Sequence, residues 1–402
     1  MNFSNAASTN GNLTVSERAL EVKARPVTVR CRVVHLTTVH VARDVRILGK
    51  ECKSLARAGY DVTFLGCFDQ DASEGGVRIR GLGSAKGRMS RMLWAPWKMY
   101  REALRQNAAI YHFHDPELLL VGVLLRLKGK RVIYDAHEDV SADIAVKHYL
   151  PGFVRGPVAR MVSALEKMCV RKFSGVVTAT TPIAERFRGI NSRTVVVHNY
   201  PELAELASPS DRPWSSRKMA VAYVGSIAAD RGAGEMVKAM ALLPGSSAEV
   251  SLELAGHFSP ASLQDELANL PGWEKVRVHG VLGRPEVAKL LGEVRAGLVV
   301  LSATPGFLHS APIKLFEYMS AGIPVIASDF SGFREIVVGR ESGLVVDPAD
   351  PKKIAEAIDY LLANPGEAEQ MGQRGRRAVE EKYNWASEEQ NLLKLYEDVV
   401  TS

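Results

Sequence analysis

The chain has 402 residues, 46% hydrophobic and 24% charged, which suits two folded domains and argues against a fibrous or disordered polymer. Its four cysteines, Cys31, Cys52, Cys67 and Cys169, have neither paired nor zinc-type spacing and read as reduced thiols, excluding a disulfide framework. The net charge of +6 is unevenly shared. Residues 1–205 hold 31 Lys+Arg against 19 Asp+Glu, and the remainder 20 against 26, so the first half is expected to meet an anionic partner such as a membrane surface or nucleic acid.

In chain order, residues 1–29 read as a disordered tail without a secretory signal. An N-terminal domain is expected over 30–200. A first strand, 30–37, leads through a loop holding His40 and Asp44 to a helix over 45–58, whose apolar positions are Ile47, Leu48, Leu55 and Ala56. Gly59 ends that helix and a second strand follows at 61–65. This β-α-β rhythm indicates a parallel sheet. No G-x-G-x-x-G follows the first strand, which argues against a dinucleotide-dependent dehydrogenase. Residues 87–107 interleave Arg88, Arg91, Lys98, Arg101 and Arg105 with Trp94, Trp97 and Tyr100, a composition suited to anionic lipid headgroups as well as to an aromatic stripe packed on the sheet. Further strands end in His112-Phe113-His114-Asp115 and in Asp135-Ala136-His137-Glu138-Asp139, and another ends in His198-Asn199-Tyr200-Pro201.

Residues 201–217 read as a linker, and a second α/β domain is expected over 218–383. The terminal helix, 384–402, is expected to pack back toward the first domain. No run of 18 apolar residues occurs, so no spanning helix is expected.

The informative stretch is 301–345. A loop leads into a helix opened by Pro312 and carrying Lys314 and Glu317. The strand 324–328 follows, then a second glycine loop and helix. Helix N-termini at the C-terminal ends of parallel strands favour anions. Glu317 suits the two hydroxyls of a ribose and Lys314 suits a phosphate, so the pair points to a nucleoside-diphosphate sugar. The histidines form no HExxH or comparable ligand pattern, and no metal site or obligatory metal is expected.

The run Pro312–Ile326 (PIKLFEYMSAGIPVI) resembles the donor segment of GT-B glycosyltransferases, specifically family 4, the group 1 retaining enzymes. The likeness covers nearly all of the chain from about residue 32 and is strongest over 220–390. It implies two doubly wound Rossmann-like domains with a cleft between them, and transfer of a sugar from a nucleoside diphosphate to an acceptor hydroxyl. Glu317 falls on the ribose-binding acid. Where many members have a further Glu eight positions earlier, this chain has His309, after Gly306 and Phe307. In the phosphate cradle Gly225 is followed by Ser226 in place of an Arg, and Arg231 replaces a Lys. Backbone groups around His279-Gly280-Val281 would hold the base, which identities alone leave undetermined. The match places His137 beside the transferred sugar, with Asp139 and Glu138 near an acceptor hydroxyl. His40, Asp44, His114, Asp115 and Asn199 are the remaining acceptor-side candidates. The implied setting is cell-surface polysaccharide or glycolipid synthesis by a cytoplasmic enzyme, peripheral on the inner face of the plasma membrane, with a lipid-linked or glycan acceptor. A nucleotide-sugar 2-epimerase on the same fold and a non-catalytic sugar-nucleotide-binding scaffold are the alternatives. No nucleic-acid recognition motif is present.

Overall fold

The computed structural model describes residues 31–83, 88–141, 144, 152–206, 213–245, 249–308 and 311–401, with side chains left out at 88–93, 152, 204 and 305. The expected tail over 1–29 and the candidate His309 lie outside the described residues.

Among those residues, the first sheet contains β1 (Arg32–Thr37), β2 (Asp61–Gly66), β3 (Ala72–Glu74), β4 (Val77–Gly81), β5 (Ile110–Phe113), β6 (Arg131–Ala136), β7 (Gly175–Thr178) and β8 (Thr194–Val196). Their spatial order is β3-β4-β2-β1-β5-β6-β7-β8, parallel except for the edge strand β3. The second half contributes β9 (Ala220–Val224), β10 (Ile227–Ala228), β11 (Ser251–Ala255), β12 (Phe258–Ser259), β13 (Val276–Gly280), β14 (Ala296–Val299), β15 (Val325–Ser328) and β16 (Gly343–Val346). Its main sheet runs β13-β11-β9-β14-β15-β16, all parallel, and β10 pairs with β12 beside it. In both sheets the strand order reverses beside the first strand, which opens a crevice at the C-terminal strand ends.

The central strands form because they are buried on both faces, and continuous runs such as Val33–Thr37 and Val325–Ser328 meet that demand. The hairpin β3–β4 goes beyond the sequence reading, and the expected linker contains a short helix, Leu203–Leu206. The helix after β1 begins as a π-helix, Val45–Cys52, because the Asp44 carbonyl accepts from both Leu48 and Gly49 at 3.1 Å. The wider winding turns Arg46, Lys50 and Glu51 inward together, and all three are buried.

The last helix, Trp385–Val400, follows the second sheet in sequence but completes the core of the first. Trp385, Leu392, Leu395, Tyr396 and Val399 pack with Val33, Ile110 and Ile133. Two hydrogen bonds fix its start, Trp385 N to the Pro201 carbonyl at 3.0 Å and Trp385 Nε1 to Ser54 Oγ at 2.9 Å.

Candidate active site at the facing strand ends

A cavity of about 630 Å3 lies where the C-terminal strand ends of the two sheets face each other. The first sheet supplies His137, Glu138 and Asp139 after β6, residues 179–183 after β7, and His198, Asn199 and Tyr200 after β8. The second supplies Arg231, Leu301, Gly306, Phe307 and the start of the helix Ile313–Ser320, including Lys314. Eight sequence candidates therefore share one cavity: His137, Glu138, Asp139, Asn199, Arg231, Gly306, Phe307 and Lys314.

Lys314 is the most unusual group on the second wall. Among the described residues its buried ammonium has no hydrogen-bond partner, and it rests 3.8 Å from the centre of the Tyr223 ring. Burial, aided by the charge of Arg231 and opposed by Glu317, pulls Lys314 down to about 7. Gly225 makes room for it. Its φ is +132°, and a Cβ there would sit 3.0 Å from Lys314 Nζ. The Arg231 guanidinium lies 5.7 Å from the centre of the Phe307 ring. Two cations thus stand at a helix N-terminus, whose first N–H groups have no partner inside the helix.

Glu317 sits one turn behind Lys314, buried, and is not among the lining residues. Its Oε1 accepts from Arg284 Nη1 at 2.6 Å, while Arg284 Nη2 reaches Glu205 at 2.8 Å. Lys50 comes from the first domain to the same region. Its ammonium donates to Asn199 Oδ1 at 2.6 Å, and burial pulls it down to about 7 although Glu317 acts to raise it. The Ser226 carbonyl accepts from the Tyr223 hydroxyl at 2.7 Å, and Val281 is 76% exposed; neither lines the cavity.

Behind the first wall lies a histidine and carboxylate network, whose members His40, Asp44, His114 and Asp115 are not among the lining residues. Asp44 caps the helix after β1, accepting from the backbone of Arg46 and Ile47, and meets His40 Nδ1 at 3.1 Å. Burial alone would push Asp44 up, but the bonds from His40 and Ile47 bring it down to about 2. For His40, burial is outweighed by Asp44 and Asp115, and its value is raised. Asp115 is buried and holds the loop after β1 through Thr37 Oγ1 at 2.8 Å. His114 is buried behind His137. Asp139 lines the cavity in a salt bridge with Arg186 at 2.7 Å.

The sequence holds no metal-ligand spacing, yet folding gathers two groups of ligand-type side chains: His35, Glu51, His112 and His114, and His114, Asp135 and His137. Arg46 already lies between their carboxylates, 3.0 Å from Glu51 and 3.3 Å from Asp135. Burial would push Asp135 up, but Arg46, His137 and His114 hold it well below the carboxylate range. Burial and the neighbouring Asp135 charge push Glu51 well above that range, against Arg46. Arg46 is thus the cation that these two carboxyl groups share.

Sequence reasoning missed Arg46, Lys50, Glu51, Asp135 and Arg284. The available signal was Arg46 and Lys50, four apart and so on one face of a helix; Glu51 joins them only through the π-turn.

Two family models match: the description "Glycosyltransferase Family 4" over residues 46–202 and "Glycosyl transferases group 1" over residues 208–378. A glycogen synthase of Mycobacterium tuberculosis is 25% identical over 241 residues, which cover 58% of this chain and 56% of that protein. The chain spans about half the length of the curated relatives that it matches first over long stretches. Among solved structures, sucrose-phosphate synthase from Thermosynechococcus elongatus superposes with a TM-score of 0.74 at 19% identity, covering 92% of this chain and all of that one. Anabaena HepE in complex with UDP-glucose gives 0.69 at 13% identity, with 91% and 99% covered. These likenesses show the GT-B fold. With the two family models taking in most of residues 46–378, the chain belongs to the group 1 glycosyltransferases of family 4.

Proposed function

We propose that this protein transfers a sugar from a nucleoside-diphosphate sugar to an acceptor hydroxyl, with retention at the anomeric carbon. The observation that carries the reading is the buried ammonium of Lys314, without a hydrogen-bond partner among the described residues, beside Arg231 and across the cavity from His137. Such a lysine is costly in the empty site and gains when a diphosphate supplies the missing acceptor. HepE, on the same fold, was solved with UDP-glucose, which supports this donor class. Glu317, oriented by Arg284, would accept the ribose hydroxyls with its second oxygen, and backbone groups near Val281 would hold the base.

In the reaction the bond from the anomeric carbon to the phosphate oxygen breaks and a bond to the acceptor oxygen forms. The acceptor proton passes to the departing phosphate oxygen. Lys314, Arg231 and the helix N-terminus carry the leaving-group charge, so no divalent ion is required in this scheme. His137 and Asp139 would face the sugar and acceptor, with His309 as a further sugar contact. His40, Asp44, His114, Asp115 and Asn199 would support the acceptor side.

The test is thermal stabilisation by UDP-, GDP-, ADP- and TDP-sugars, followed by transfer or hydrolysis assays. One donor class is expected to raise the melting temperature by mass action. Glu317→Ala should abolish turnover while the circular dichroism spectrum is kept. Unaltered turnover in that variant would overturn the reading, and accumulation of a C2-epimerised donor without acceptor would favour the epimerase instead.

A lipid-linked acceptor is the second part of the proposal. The helices Arg88–Gln106, Leu119–Leu127 and Gly152–Val170 lie side by side on the first sheet, exposing Trp94, Trp97, Leu120, Leu127, Phe153 and Met161. Lys98, Arg101, Arg126 and Lys128 lie in the same helices or at their ends. That combination suits an anionic membrane surface.

A further inference from the structure

On one face of the first sheet, apolar residues give way to polar ones toward the C-terminal strand ends. Val33 is succeeded by His35, Ile110 by His112 and His114, and Ile133 by Asp135 and His137. These groups join in one buried chain with Tyr396 of the last helix. His112 Nδ1 lies 2.8 Å from the Tyr396 hydroxyl, and the hydroxyl lies 3.1 Å from His35 Nε2. His35 Nδ1 lies 2.9 Å from His114 Nε2, and His114 Nδ1 lies 3.3 Å from Asp135 Oδ2. His137 Nε2 meets the same oxygen at 3.0 Å and lies 3.2 Å from His114 Nδ1, so the two ring nitrogens converge on one carboxylate oxygen, the stronger acceptor.

Burial holds His35 and His112 well below the ordinary histidine value and His114 down at about 4. Near pH 7 each ring is neutral, with one donor and one acceptor nitrogen. Asp135, ionised, only accepts. His114 therefore carries its proton on Nδ1, its Nε2 accepts from His35 Nδ1–H, and His35 Nε2 accepts the Tyr396 hydroxyl proton. The hydroxyl oxygen accepts from His112 Nδ1–H. What is left over is the lone pair of His112 Nε2, and among the described residues that atom has no hydrogen-bond partner.

We propose that Asp135 is the positioning residue for His137: it orients the whole chain and binds His137 Nε2–H, so that His137 presents Nδ1 to the cleft as an unprotonated acceptor. The consequence for the reaction rests on the sugar-side reading of His137; the orientation does not. Tyr396 ties the chain to the last helix, donating to His35 and accepting from His112, where the chain ends.

The experiment is ring-nitrogen NMR of the full-length protein without ligand, which reports tautomers directly and separates this inference from the sugar-nucleotide reading. In the wild type, His35 and His114 are expected as Nδ1–H and His137 as Nε2–H. Asp135→Asn keeps one amide oxygen for the Arg46 donor and puts the NH2 in place of the oxygen that His114 and His137 share, and Glu51 can ionise against Arg46 in its stead, which favours folding. In that variant His114 and His35 are expected to convert to Nε2–H, with the tautomer ratio at His114 inverted by about tenfold or more. Tyr396→Phe should leave His114 as Nδ1–H. An Nε2-protonated His114 in the wild type, or its retention as Nδ1–H in Asp135→Asn, overturns the proposal. Should Asp135→Asn not fold, the wild type and Tyr396→Phe decide, since loss of the Nδ1–H form at His114 in the latter would make Tyr396, not Asp135, the source of orientation.

Discussion

A lysine buried without a hydrogen-bond acceptor, as Lys314 is among the described residues, works against the stability of the fold at neutral pH. Its folded value of about 7 lies below the 10.5 of a solvated lysine, so the unfolded chain binds more protons between those two values. Stability at this residue therefore rises with pH across that window. Lys314→Met should raise the melting temperature at pH 7 and weaken UDP binding by about tenfold or more, the size of a lost charge-assisted hydrogen bond. Unfolding scans and calorimetry check both halves, and a variant with lower stability and intact affinity would contradict them. A bound diphosphate also favours the ammonium form. At pH 8 UDP binding should take up close to one proton, measured as a slope against buffer ionisation enthalpy, and the slope should vanish in Lys314→Met.

The elements show where a reading from pattern alone succeeds and where it stops. Parallel strands buried on both faces leave contiguous apolar runs, and helices opened by proline or Asp leave local caps, so the alternation of β and α was legible from β1 to the last helix. Lys314 and Glu317 were read from one motif-bearing stretch, and Arg231 from the separate loop after β9 that resembles a phosphate cradle. Arg46, Lys50 and Glu51 were not, because the helix after β1 was read by its apolar positions and a π-turn brings its charges inward. Asp135 and Arg284 matter through partners 89 and 33 residues away in sequence, contacts that no local pattern records. The same helix gives a test of its cap. Asp44→Ala removes a side chain that accepts from two backbone N–H groups and should cost about 1–2 kcal/mol at neutral pH. Because Asp44 is depressed to about 2, its contribution is complete above the ordinary carboxylate range and lost as pH falls through 2. The gap between wild type and variant in urea unfolding should accordingly close with acid. A gap that persists at low pH would mean that the loss is one of packing instead.

At the scale of the whole molecule, the excess of Lys and Arg over Asp and Glu in residues 1–205 and the exposed apolar side chains belong to the same half of the chain. The proposed membrane face takes its energy from both. Trp94 and Phe153 are 72% and 83% exposed, and each would withdraw apolar area from water on seating at the headgroup boundary, worth about 25 cal/mol per Å2. The flanking cations add about 1 kcal/mol apiece near an anionic surface. Among the described residues no helix is long and apolar enough to cross a membrane, so the proposed attachment lies in the interface. The two contributions separate experimentally. Flotation with vesicles containing anionic lipid should recover the protein at low salt, and neutral vesicles should recover much less. At about 1 M salt, where the Debye length falls to about 3 Å, the electrostatic share should disappear and a residue of apolar binding remain. Trp94→Asp combined with Phe153→Asp should abolish that residue while leaving UDP binding intact, because both positions are remote from the residues that line the cavity. Absence of flotation at low salt, or flotation indifferent to the double variant, would remove the membrane from the proposal and leave a soluble glycan as the acceptor that fits the cleft.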